Sequence, residues 1–116
     1  MGSRMAANLR RAGHELVVFN RTRATADAWA REHDATVAST PAEAAAEAEV
    51  VITMVVDGPQ VEAVLLGEEG VVHGARPGLL CVDMSTIAPT DTRRIGAGLA
   101  ERGIHYMDAP VTGSSP

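Results

Sequence analysis

Five short apolar runs divide the chain, and each has the length and composition of a β-strand. Most are rich in valine and other β-branched or aromatic residues, which favour the pleated surface of a sheet. The runs occupy residues 15–20, 36–38, 50–55, 79–83 and 105–109. The run over residues 50–55 does not alternate between apolar and polar positions, so we expect that strand to be covered on both faces.

Between these runs, apolar residues recur three and four positions apart, as they do on one face of an α-helix. The predicted helices cover residues 3–12, 23–32, 40–47, a segment that starts at 57, and 89–102. We expect Thr22 to cap the second helix, and Thr40 with Glu43 to form a capping box for the third. Helices that alternate with strands predict a doubly wound α/β domain with a parallel sheet.

Composition and charge exclude several classes of function. With 116 residues, 46% of them hydrophobic, the chain predicts a single globular domain over residues 1–116. The net charge of -5 argues against nucleic acid as a partner. No apolar run approaches the roughly 18 residues of a membrane helix, and no signal peptide stands at the start. The lone Cys81 cannot form an internal disulfide, which favours a reducing cytoplasm.

Two further observations limit the chemistry that these residues can perform. All ten basic residues are arginine, so no step that needs a lysine can use a side chain of this chain. The four histidines are not spaced as metal ligands, and we predict no metal site. The polar residues that follow the predicted strands remain as candidates, because ligands of open α/β sheets bind beyond the carboxyl ends of the strands.

Four segments of the chain carry a family resemblance. They are MGSRMAANLRRAGH over residues 1–14, NRT over residues 20–22, DMSTIAP over residues 83–89 and DAPVTG over residues 108–113. These segments resemble the NAD(P)-binding domain of the β-hydroxyacid dehydrogenases, of the 3-hydroxyisobutyrate dehydrogenase type. The resemblance covers essentially the whole chain and implies a Rossmann-like doubly wound parallel sheet.

The resemblance also implies what lies beyond the two ends of the chain. In that family a strand and a GxGxMG turn lead into the first helix, and Gly2 matches the third glycine of the turn. We therefore expect the first strand and the GxGx turn before Met1, and a helical domain for substrate binding and dimerisation after Pro116. In the strand order 3-2-1-4-5-6, loss of the first strand leaves the strands over residues 15–20 and 50–55 without a shared neighbour.

The resemblance implies a set of residues that bind a nicotinamide dinucleotide. They are Gly2, Asn20, Arg21, Thr22, Val55, Val56, Gln60 and Thr86. Arg21 stands where NAD enzymes usually carry an acidic residue for the ribose hydroxyls, and an arginine there can pair with a 2′-phosphate. Thr22 can add a hydroxyl, so NADP is favoured, with NAD as the other possible cofactor.

Six of these residues have a structural alternative. Gly2 can belong to a disordered terminus, and Arg21 can be an ordinary solvated side chain. Val55 and Val56 can be the end of a core strand, and Val56 departs from the family pattern, which often has Leu-Pro there. Gln60 can serve in a helix cap, and so can Thr86, which in similar enzymes contacts cofactor and substrate.

The segment over residues 112–114 is similar to the one that binds the substrate carboxylate in this family. Thr112, Gly113 and Ser114 occupy it, where Ser-Gly-Gly is usual, so Ser114 is a departure; a plain linker is the alternative. The implied function is an NADP-preferring oxidoreductase that moves hydride between the nicotinamide and a short 3-hydroxyacid or its semialdehyde. The family's catalytic lysine is absent, so we predict that this chain alone is inactive and that the complete protein is a homo-oligomer.

Two other functions remain open from the sequence. An imine reductase shares the NRT turn and the general plan of the fold. A nucleotide-binding or interaction module without catalysis is the second, because it needs no lysine.

Overall fold

The computed structural model describes residues 2–55 and 57–109. Helices and strands alternate along this part of the chain, as the sequence pattern predicts. The helices are α1 (Gly2–Arg11), α2 (Arg23–His33), α3 (Pro41–Ala45), α4 (Gly58–Leu66) and α5 (Pro89–Ala100). The strands are β1 (Val17–Val18), β2 (Thr36–Val37), β3 (Val50–Thr53), β4 (Leu80–Asp83) and β5 (His105–Asp108). A short 3-10 helix, Val71–His73, lies between α4 and β4 and was not predicted.

The strands form two parallel sheets rather than one. β1 pairs with β2, and β3, β4 and β5 pair in that order. Within the described residues β1 and β3 do not pair with each other, so the expected break between these two strands is confirmed. β1 is shorter than the predicted run over residues 15–20, because only its side toward the two-residue β2 has a partner.

The main core lies between the three-stranded sheet and helices α4 and α5. Val61 and Leu65 of α4, Ile95 and Leu99 of α5, and Cys81 of β4 are all fully buried there. They recur four residues apart on each helix, so one face of each helix is apolar. Each large side chain that leaves water contributes about 2 kcal/mol to folding. This core fixes the carboxyl ends of the three strands relative to one another.

The opposite face of this sheet is exposed, which corrects one expectation. Val50 and Ile52 of β3 retain 49% and 42% of their accessible surface, and Met107 of β5 retains 51%. The expectation that the strand over residues 50–55 is covered on both faces is therefore wrong for the described residues. On the other face of this strand Val51 packs against the buried core, and β3 ends at Thr53 rather than at residue 55.

Helix ends follow the predicted caps with one exception. The Thr40 hydroxyl accepts a 3.0 Å hydrogen bond from the Glu43 amide, as a capping box requires. The Glu43 carboxylate accepts from the amide of Ser39, one residue before the cap. Thr22 occupies the cap position of α2, but its side chain makes no capping hydrogen bond, so that expectation is wrong.

Helix α1 is joined to the end of α2 by one arginine. Arg10 donates to the carbonyl of His33 at 3.2 Å and pairs with the Asp34 carboxylate at 3.1 Å. Asp34 adopts a left-handed backbone with φ of 55°, a conformation that aspartate tolerates at helix ends. The last turn of α1 is thereby attached to the end of α2.

None of the helices in the described part of the chain has both the length and the apolar character that a membrane crossing requires.

Cys81 is expected to resist thiol reagents in the folded protein. Burial in the core raises the pKa of its thiol to about 11, from a usual value of 9.0. A shift of about two units lowers the reactive thiolate about a hundredfold near neutral pH. Iodoacetamide at pH 8, followed by mass spectrometry, checks this: Cys81 stays unmodified in the native protein and is alkylated in urea. Labelling at equal rates in both conditions would contradict the burial.

Candidate functional site

The first candidate segment is the turn after β1. The Asn20 side-chain carbonyl accepts a 2.9 Å hydrogen bond from the amide of Thr22, which closes a tight turn between β1 and α2. Arg21 lies in the middle of this turn and is exposed. Within the described residues, Arg21 makes no ion pair, so its guanidinium is available to a ligand.

The end of β2 lies beside this turn because β1 and β2 are parallel neighbours. The Arg23 guanidinium donates to the Ser39 hydroxyl at 2.8 Å and pairs with Asp27 at 3.4 Å. The first residue of α2 is therefore tied to the segment that follows β2. Arg23 is already neutralised by a carboxylate, which distinguishes it from the neighbouring Arg21.

The second candidate segment lies at the carboxyl ends of β3 and β4. The Asp83 carboxylate is fully buried, and one of its oxygens, Oδ1, accepts from the Thr53 hydroxyl at 2.9 Å and from the Ser85 amide at 3.0 Å. The Ser85 hydroxyl in turn accepts a 2.8 Å hydrogen bond from the Val55 amide. A continuous set of hydrogen bonds thus joins the two strand ends.

The other carboxylate oxygen of Asp83 faces β5. Its Oδ2 accepts from the Tyr106 hydroxyl at 3.3 Å. Burial, and after it the nearby charge of Asp83, raises the pKa of the Tyr106 phenol. Tyr106 therefore remains protonated and able to donate. Within the described residues no basic side chain pairs with Asp83, and hydrogen bonds satisfy both of its carboxylate oxygens.

The structure places the predicted residues in two groups. Gly2 is the first residue of α1, at the end of the helix where backbone amides are free to bind an anion. Asn20, Arg21 and Thr22 form the turn after β1, and Val55 lies after β3. The turn after β1 belongs to the two-stranded sheet and Val55 to the three-stranded sheet. The break between β1 and β3 therefore separates these two groups of residues.

Two of the structural alternatives can now be judged. Thr86 is exposed and does not cap α5, because the cap position is Ala88. Its side chain is therefore available for another role. Gln60 takes part in the cap of α4 only through its amide, which donates to the Asp57 carboxylate at 3.0 Å, so its side chain has no capping function. Val56, Thr112, Gly113 and Ser114 lie outside the described residues.

Sequence reasoning missed the buried polar network around Asp83. The DMST segment carries the family resemblance, but the resemblance implies a ligand contact only for Thr86. The available signal was a charged residue at the end of the apolar run over residues 79–83, since a buried charge requires several hydrogen-bond partners. The identity of those partners, Thr53 and Tyr106, had no signal in the local sequence.

The described residues contain no group of three histidine, cysteine, aspartate or glutamate side chains placed to hold a metal ion. His33 has a structural role: its ring stacks on Trp29 with ring centres 4.2 Å apart.

Comparison with known proteins gives consistent matches. Residues 1–116 match the sequence profile of the NAD binding domain of 6-phosphogluconate dehydrogenase. The chain is 44% identical over 111 residues to 3-sulfolactaldehyde reductase of Escherichia coli, covering 96% of this chain and 37% of that enzyme. It is 41% identical to the 3-hydroxyisobutyrate dehydrogenase of Mycobacterium tuberculosis, whose structure is solved with L-serine, with a TM-score of 0.87, covering 97% and 38% of the two chains.

A further solved structure, Psf3 in complex with NADP+ and 2-OPP, is 27% identical with a TM-score of 0.87, covering 97% of this chain and 40% of that one. The chain thus spans two fifths or less of the length of each of these three proteins.

Proposed function

This chain belongs to the family of NAD binding domains of 6-phosphogluconate dehydrogenase, and we propose that it binds NADP for an oxidoreductase of the 3-hydroxyisobutyrate dehydrogenase type. The observation that carries the proposal is the turn after β1, where Arg21 is exposed and without an ion pair among the described residues. Nucleotides bind at such strand ends in doubly wound sheets.

The residues of this turn fit an adenosine ribose that carries a 2′-phosphate. Arg21 supplies a planar cation with several donors, which pairs well with phosphate oxygens. Thr22 supplies an exposed hydroxyl that is not used in capping α2. The turn carries no acidic residue, so it lacks the carboxylate by which NAD enzymes bind the two ribose hydroxyls.

The remaining predicted residues are assigned to the other parts of the cofactor and to the substrate. The amides at the start of α1, near Gly2, would hold the pyrophosphate. The backbone after β3, at Val55 and Val56, and the exposed Thr86 after β4 would contact the nicotinamide half, with Gln60 beside them. Thr112, Gly113 and Ser114 would bind a substrate carboxylate.

The proposed reaction moves a hydride between the nicotinamide and the hydroxyl-bearing carbon of a short 3-hydroxyacid or its semialdehyde. The bound nicotinamide supplies the hydride acceptor or donor. A proton must also leave or join the substrate oxygen, and no lysine of this chain is available for that. We propose that the proton is handled by a lysine outside these residues, so that the chain provides cofactor binding and part of the substrate site.

The lone Cys81 is consistent with a cytoplasmic location.

NADPH is expected to bind at least tenfold more tightly than NADH. The difference is the charge-assisted pairing of Arg21 with the 2′-phosphate, which contributes roughly 1.5–3 kcal/mol. Titration of the nicotinamide fluorescence, on protein expressed from the complete reading frame, measures both values of Kd. Equal affinities would remove the NADP preference, and no binding of either nucleotide would overturn the proposed function.

The substrate class is tested on the same protein with NADPH. We expect turnover of a short semialdehyde and none of a cyclic imine. The reverse pattern would favour an imine reductase, and nucleotide binding with no turnover of either compound would favour a binding module.

A further inference from the structure

The network around Asp83 joins three strands at the end of the sheet where the nucleotide is proposed to bind. Asp83, Thr53 and Ser85 are all buried, and the hydrogen bonds that join them to one another and to the Val55 amide are between 2.8 and 3.0 Å. The described residues contain no buried side-chain nitrogen or oxygen atom without a hydrogen-bond partner. A fully satisfied buried network of this kind has one favoured geometry.

We propose that Asp83 and Ser85 are positioning residues for nucleotide binding, and that they act by fixing the backbone at Val55 and at Thr86. This inference rests on the proposed function, which places the nicotinamide half of the cofactor at those two positions. Neither Asp83 nor Ser85 touches the ligand in this scheme. They hold the backbone at Val55 and at Thr86, the two segments that contact the ligand.

The two oxygens of the Asp83 carboxylate accept hydrogen bonds from different strands. Oδ1 holds the Ser85 amide and the Thr53 hydroxyl, and therefore controls the ends of β3 and β4. Oδ2 holds Tyr106 on β5, which lies on the far side of β4 from β3. The nucleotide side and the β5 side of the network can thus be perturbed separately.

Ser85 is the link between this carboxylate and the Val55 backbone. Its hydroxyl accepts the Val55 amide at 2.8 Å, and its own amide is held by Asp83 two residues earlier. Thr86, the next residue, is exposed. Because Ser85 is buried and held by these two hydrogen bonds, it fixes the position of the exposed Thr86 hydroxyl that follows it.

Core stability alone does not require an acid at this place. Two residues earlier in β4, Cys81 lies on the same face and packs among apolar side chains. Burial of a carboxylate is costly, and well-packed apolar residues often replace buried polar groups without loss of stability. The carboxylate is useful because it orders two segments that an apolar side chain would leave without a hydrogen-bond partner.

Ser85→Ala tests this on protein expressed from the complete reading frame, with two ligands. NADPH spans both groups of residues, whereas adenosine 2′,5′-bisphosphate has no nicotinamide half and reaches only the turn around Arg21 and the start of α1. We expect Ser85→Ala to raise the Kd for NADPH at least tenfold and to leave the Kd for the bisphosphate within about twofold. Fluorescence titration and calorimetry give the two constants.

Tyr106→Phe is the matched control, because it removes one hydrogen bond to the same carboxylate from the β5 side. We expect it to change the NADPH Kd by less than about twofold, since both bonds to Oδ1 remain. Ser85→Cys fills the same space with a poor hydrogen-bond acceptor, and it replaces Ser85→Ala should that variant fail to fold.

The possible results separate this inference from the proposed function. A wild-type protein that binds neither ligand would defeat the proposed function itself. A wild-type protein that binds both, with Ser85→Ala weakening both equally or neither, would overturn the positioning role. Selective loss of NADPH affinity in Ser85→Ala, and not in Tyr106→Phe, supports it.

Discussion

Replacement of Arg21 by aspartate is expected to weaken NADPH binding about a thousandfold and to change NADH binding by less than about threefold. Loss of the guanidinium removes about 2 kcal/mol of charge-assisted pairing with the 2′-phosphate. The new carboxylate adds like-charge repulsion of about 2 kcal/mol more. NADH has no 2′-phosphate, and a carboxylate in this turn can accept a hydrogen bond from its ribose. The preference between the cofactors should therefore reverse.

Arg31→Asp is the control for this change in net charge. Arg31 is exposed on the last turn of the same helix, α2. From the helical rise of about 1.5 Å per residue, Arg31 stands about 15 Å from Arg21, beyond the screening length at physiological salt. We expect both values of Kd to stay within about twofold of the wild type. An equal loss of NADPH affinity in both variants would show that Arg21 acts only through long-range charge.

Gly74→Ala is expected to lower the free energy of unfolding by about 3 kcal/mol or more. A Cβ atom at residue 74 would lie 2.0 Å from the backbone carbonyl oxygen of Ala42, at the start of α3. Backbone cannot rotate away as a side chain can, so α3 and the 3-10 helix Val71–His73 must separate. Urea denaturation followed by circular dichroism measures the loss.

Gly78→Ala separates this steric effect from the general cost of replacing glycine. Gly78 has φ of 89°, but a Cβ atom there would meet nothing within 4 Å. Only backbone strain remains, for which we expect a loss of about 1 kcal/mol. Similar losses in the two variants would show that the contact between Gly74 and Ala42 is not tight in solution.

The local sequence was sufficient to predict the elements of the fold. Periodicity located the five α-helices and five strands of the described residues, because an apolar face of a helix or strand is set by residues three, four or two positions apart. The Thr40 cap was predictable for the same reason, since both of its partners lie within four residues. Parallel topology then implied that Asn20, Arg21, Val55 and Thr86 follow strand ends, where ligands bind.

Only the tertiary structure decided which of these strand ends are connected and which surfaces are covered. The partners of Asp83 are Thr53 and Tyr106, which lie 30 and 23 residues away in the chain, and no local pattern encodes such a pairing. The burial of Cys81 and the exposure of Ile52 arise in the same way. Both belong to apolar runs, but helices α4 and α5 cover only one face of the sheet. Periodicity determines which residues share an apolar face, whereas long-range packing determines whether another element covers that face.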